Sequence, residues 1–137
     1  MSWCGVYLRL TLKQGIYGEP YDHRHRQQRR ADHLIESLTA EAPGFLSIGA
    51  LIEMVWVLSC AFGLNRAEVS QVLEQLLQTK KIILDRADQV LKATRQYNSS
   101  SADFAECLIE RLGTGAGCAR TVTFDVGASG TAGMQLP

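Results

Sequence analysis

Four acidic residues drawn from separate stretches of the chain, Glu53, Asp103, Glu106 and Asp125, carry most of the chemistry this sequence offers. Glu53 is the lone charged side chain in Phe45–Leu64 (FLSIGALIEMVWVLSCAFGL), a run that is otherwise mostly apolar. An ionised carboxylate taken out of water without a partner is too costly to keep, so it is paired, metal-bound or neutralised. Asp103, Glu106 and Glu110 stand at i, i+3 and i+7 in ADFAECLIERL, which puts three carboxylates on one face of a helix. Like charges so spaced repel by about 0.2–0.5 kcal/mol per pair, and a bound cation turns that repulsion into coordination. Asp125 directly follows Arg120–Phe124 (RTVTF), and ligands of open parallel sheets gather beyond the carboxyl ends of strands. Carboxylates are hard oxygen ligands suited to Mg²⁺ or Mn²⁺. Such ions hydrolyse phosphodiesters by lowering the pKa of an attacking water and stabilising the leaving oxygen. Glu53, Asp103, Glu106 and Asp125 are therefore the expected metal ligands and catalytic groups.

Each of these residues also has a plainer role. Glu53 can sit on a core helix, paired with a base or protonated. Glu110 precedes Arg111 and reads as part of a solvated face, and Asp125 alone reads as a turn or cap residue. Phe45–Leu64 is long enough to span a bilayer, but a central acid costs about 2.5–3.5 kcal/mol there, and Pro43-Gly44 marks a turn instead.

The elements that must position these acids follow from composition and periodicity. The chain has 137 residues, enough for one domain with a real core. Hydrophobic and charged contents are ordinary, formal net charge is zero and the pI is about 6.8, so nothing global calls for nucleic acid or membrane. Cys4, Cys60, Cys107 and Cys118 lie far apart without a CxxC pair, which excludes a zinc knuckle and a dense disulfide scaffold; Cys60 reads as a small core residue. MSWCGVYLRL lacks a basic start and a continuous apolar core, so no leader is expected and the cytoplasm is the expected compartment.

Val6–Leu12 alternates like a half-exposed strand, Lys13–Pro20 reads as a loop, and Tyr21–Arg30 (YDHRHRQQRR) as a solvated basic segment. His23 and His25 have no third ligand nearby. Ala31, Leu34, Ile35 and Leu38 predict a helix over 28–40 with one buried face. A strand over Phe45–Ile48 precedes a buried helix over Ala50–Phe62, and Asn65 with Glu68 forms a capping box opening a helix to Thr79. Lys81–Leu84 is a second strand, Asp85 caps a helix to Tyr97, and Ser101 caps a helix over Ala102–Leu112. Gly113–Gly117 reads as a turn, Arg120–Phe124 as a strand and Met134–Leu136 as a short edge strand. Strands alternating with helices predict an α/β fold with a mostly parallel sheet.

Three blocks, GFLSIGALIEMVWVLSCAFGL, SSADFAECLIERLGTGAGC and TVTFD, resemble PIN-domain proteins, especially VapC-type toxins of bacterial toxin–antitoxin pairs. The likeness covers about Ala31 to Asp125, with the blocks in the family's order, and divides the chain into an atypical segment 1–30 and a PIN-like domain 31–137. The resemblance implies a three-layer α/β/α sandwich, Mg²⁺-dependent endoribonuclease activity, a homodimer and inhibition by a cognate antitoxin. By position it implies Glu53 as the acid of the second helix, Glu106 as the third acid, Asp103 as an additional acid and Asp125 as the acid of the strand end, oriented by Thr123.

The family's first strand runs into an Asp-x-Asn motif, whereas this chain has no Asp before Asp22 and no Asn before Asn65. An N-terminus altered by a frame shift upstream of Arg30, a diverged segment, or replacement by Asp22 would each account for that departure. Two functions follow: a VapC-like ribonuclease weakened by loss of one ligand, or a non-catalytic PIN-like module that binds an antitoxin or itself. Lys80, Lys81, Arg95 and Arg120 are the expected phosphate contacts.

Overall fold

The computed structural model describes residues 6–7 and 21–137, with side chains at position 26 and from position 29 on. The rest of the strand expected over Val6–Leu12 and the loop over Lys13–Pro20 lie outside the described residues. Among the described residues three short parallel strands, β1 (Val6–Tyr7), β2 (Gly44–Leu46) and β3 (Ile82–Leu84), form one sheet in the order β1-β2-β3. Val6 pairs with Gly44, and Gly44, Phe45 and Leu46 pair with Ile82, Ile83 and Leu84. The fold is therefore mixed α/β, with helix far exceeding strand.

Helix α1 (Tyr21–Ser37) takes in the basic run expected to be a separate segment. Arginine, glutamine and alanine are good helix formers, so the run extends the helix instead of preceding it. The predicted buried face does not form. Leu34 and Ile35 are exposed, and only Leu38, just past the helix, joins the core.

The apolar stretch Phe45–Leu64 divides into β2, helix α2 (Ile48–Cys60) and a loop. Ser47 caps α2, its side-chain oxygen accepting from the N–H of Ala50. No helix among the described residues is long and apolar enough to cross a membrane. Ala50, Leu51, Val55 and Val57 face the core, while Trp56, Ser59 and Cys60 are exposed. Cys60 is therefore not a core residue; it closes α2 on the outer face, and Cys107 fills the core position instead.

Helix α3 (Arg66–Gln78) opens on the capping box that Asn65 and Glu68 predict, and it buries Val69 and Leu73. The step from β3 to α4 (Ala87–Ser99) differs from expectation. The N–H of Asp85 donates to Leu46, extending the β2–β3 ladder, and Arg86 takes the N-cap position at φ 49° with no side-chain cap bond. Asp85 is thus held by the strand and Arg86 supplies the sharp left-handed reversal.

Helix α5 (Phe104–Gly115) starts at Asp103, not Ser101, and runs through the glycines expected to be a turn. Those glycines let α5 approach its neighbours. A Cβ on Gly115 would lie 2.5 Å from the side-chain nitrogen of Gln89 on α4. Gly117, one residue past the C-cap Ala116, takes a φ of +85°, the left-handed turn that commonly follows a helix end. Helices α4 and α5 form the largest helix pair, with α3 on α4 and α2 touching both α3 and α5. Leu51, Val69, Leu73, Val90, Phe104 and Leu108 make the centre of the core between them.

The predicted strand Arg120–Phe124 is reduced to one parallel bridge, Val122 with Gln135, away from the three-stranded sheet. The Met134–Leu136 strand survives only as the other half of that bridge. Asp125 then opens α6 (Val126–Thr131), accepting from the N–H groups of Gly127 and Ala128.

Candidate functional site

Glu53 reaches a cavity of about 530 Å³ between α2 and the start of α5, lined also by Trp56, Arg66, Tyr97, Asp103 and Phe104. Glu53, Trp56 and Cys60 stand at i, i+3 and i+7 on α2, so one helical face supplies that side of the cavity. The premise that burial forces a partner on Glu53 is not met. The residue is half-buried, faces the cavity and makes no hydrogen bond or ion pair with another described residue.

Asp103 comes to the same cavity from the α5 N-cap. Its Oδ1 accepts from the Glu106 N–H at 2.7 Å, and Glu106 Oε2 accepts from the Asp103 N–H at 3.0 Å. The i, i+3 spacing read as a cation-ready pair is thus a reciprocal capping box. It satisfies two N–H groups of the first turn and places negative charge at the positive end of the helix dipole. One oxygen of each carboxylate remains unused by the cap.

Of the four predicted acids, the structure brings Glu53 and Asp103 to one cavity, with Glu106 fastened to Asp103. Asp125 is committed to α6, and the Thr123 hydroxyl accepts the Asp125 N–H at 3.1 Å. Among the described residues no three His, Cys, Asp or Glu side chains gather as a group that could hold a metal ion. Glu110 is tied into the fold, not solvated. It lies 2.9 Å from Arg111 Nε and accepts from Thr114 at 2.8 Å. Arg111 in turn donates to Gln96, which donates to the Ala132 carbonyl, so this chain of contacts joins α4, α5 and the end of α6.

Arg66 was not legible as a site residue. It stands at the first position of α3, where a positive charge opposes the helix dipole, so a tertiary role must hold it there. Its guanidinium donates through Nε and Nη2 to the Tyr97 carbonyl and through Nη2 to the carbonyls of Ser100 and Ala102, at 2.8 and 2.6 Å. These are carbonyls at the end of α4 and in the α4–α5 link, groups a helix terminus leaves unpaired. The same guanidinium carbon lies 3.8 Å over the Tyr97 ring, and Tyr97 meets Phe104 edge to face at 6.0 Å. Arg66 thereby fixes the short link that delivers Asp103. Burial raises the Tyr97 phenol above its usual 10.0, with Arg66 pulling the other way. Burial likewise raises the thiol of Cys107, packed one turn into α5. The expected phosphate contacts Lys80, Lys81, Arg95 and Arg120 are all exposed, and none lines the cavity.

No family model, curated protein or solved structure matches this chain. The charged lining consists of two carboxylates of separate origin beside one immobilised cation. Carboxylates are hard oxygen donors of the kind Mg²⁺ takes, and Glu53 and Asp103 are the two that line this cavity.

Proposed function

We propose that the chain is a PIN-like, VapC-type endoribonuclease dependent on Mg²⁺ or Mn²⁺, with a nuclease centre weakened by the missing first acid. The observation that carries this reading is the meeting of Glu53 and Asp103 at one cavity, fifty positions apart in sequence. Those are two of the positions to which the family resemblance assigns acids. Glu53 and Asp103 would hold the ion, with Glu106 keeping Asp103 in place through the capping box. When bound, the ion supplies a nucleophilic water of lowered pKa and charge neutralisation at the phosphodiester. The chain's own part is positional: the Arg66 clamp fixes the α4–α5 link, and the edge-to-face pair Tyr97–Phe104 forms an apolar wall. In this reading the finer architecture is the three-layer sandwich, and the partners are RNA, a cognate antitoxin and a second copy of the chain. RNA incubated with the protein and Mg²⁺ is expected to be cut, and the Glu53→Gln protein is expected to leave it intact.

A second reading, a non-catalytic PIN-like interaction module, is favoured by two specific features. No group of three potential ligands forms among the described residues, and Asp125 serves α6. That reading expects the same melting temperature with and without Mn²⁺.

A further inference from the structure

The cavity at Glu53 holds more than the acid pair. Trp56 lines it and is 56% exposed, so its indole is open to a ligand at the cavity while the other face of α2 packs the core. Arg66 lines it too. Its Nε and Nη2 are spent on carbonyls, while Nη1 makes none of those bonds. A flat aromatic surface, a fixed cation and two carboxylate acceptors therefore share one recess of about 530 Å³, within the range of small-ligand sites.

We propose that this recess is a subsite for one unpaired nucleotide, its base stacked on Trp56. A nucleobase offers a π-face to the indole and at least one N–H donor on its pairing edge, which in the metal-free chain the oxygens of Glu53 and Asp103 outside the capping box accept. Arg66 Nη1 supplies a donor for the nucleotide's phosphate or for a base carbonyl. Pairing-edge donors and a free base face are both available in single strands and both consumed in a duplex, so the site selects single-stranded over double-stranded nucleic acid. Three carbonyls hold Arg66, so its guanidinium is ordered before any ligand arrives. This inference rests on the ribonuclease reading for the identity of the ligand, but not on turnover.

The test is fluorescence titration in EDTA, where metal-dependent cleavage does not occur. The full chain with Trp3→Phe leaves Trp56 as the sole indole, since the sequence has two tryptophans. A single-stranded tetraribonucleotide is expected to quench it saturably, and the same length of duplex is expected not to. Measured by anisotropy with a labelled tetranucleotide, Trp56→Leu should raise Kd about 5- to 140-fold. That is the roughly 1–3 kcal/mol per stacked base converted at about 1.4 kcal/mol per tenfold. Trp56→Phe should recover part of the loss, which a merely structural role at an exposed position would not require. Unchanged affinity in Trp56→Leu, equal quenching by duplex, or no binding by the parent chain would each overturn the proposal. Binding that depends on Trp56 without any Mg²⁺-dependent cleavage would uphold it while removing the ribonuclease reading.

Discussion

Arg66 donates to three main-chain carbonyls and stacks on Tyr97, so its removal leaves those carbonyls without their donor. Hydrogen bonds to charged groups are each worth about 1.5–3 kcal/mol net, and Arg66→Met should destabilise the fold by at least that range in urea unfolding. Lysine keeps the charge but not the planar fork, so Arg66→Lys should recover less than half of the loss. Tyr97 gives a pH signature. Its folded pKa is raised, so its contribution is fully present below the usual tyrosine pKa and declines as pH climbs past 10 towards the folded value. Alkaline titration of the melting temperature should fall less steeply in Tyr97→Phe than in the parent chain. Little of this was legible beforehand. Arg66 carries a charge of the wrong sign for its helix end, a signal that points to some tertiary role without naming the partner. Trp56 was not singled out either, although its spacing of three residues from Glu53 puts both on one face of α2.

At the scale of elements, Asp103 caps α5, and in the proposed function it also holds the ion, two roles that substitution can separate. Asparagine caps a helix about as well as aspartate, so Asp103→Asn should leave stability nearly unchanged while weakening Mn²⁺ binding measured by calorimetry. Asp103→Ala should lose both, with the capping loss about 0.5–2 kcal/mol. The Asn65–Glu68 capping box was readable because both partners lie within four residues and need no tertiary context. Asp103 with Glu106 has the same local grammar, yet the i, i+3 pair of acids drew attention as a ligand set. Arg120–Phe124 misled for the opposite reason. Its alternation is that of a strand, but strand formation needs a neighbour, and among the described residues Gln135 alone provides one. Gly115→Ala should cost stability, because the added methyl meets the Gln89 side chain at the α4–α5 contact.

Across the whole molecule, the mixed α/β character and the parallel sheet were legible from apolar strands separated by helices. The small sheet was less so: the strands are two and three residues long, and the helices α2 to α5 bury most of the apolar surface themselves. What sequence could not convey was which acids would meet, since that depends on how α2 and α5 pack. The packing selects Glu53 and Asp103 and sends Asp125 to α6. An ion bound only by the folded chain stabilises it by RT ln(1 + [L]/Kd), so saturating Mn²⁺ should raise the melting temperature of the parent and not of Glu53→Gln. The most direct measurement is cleavage of single-stranded RNA in three parallel reactions: parent with Mg²⁺, parent with EDTA, and Glu53→Gln with Mg²⁺. The account predicts cutting in the first alone; equal cutting in all three would contradict it.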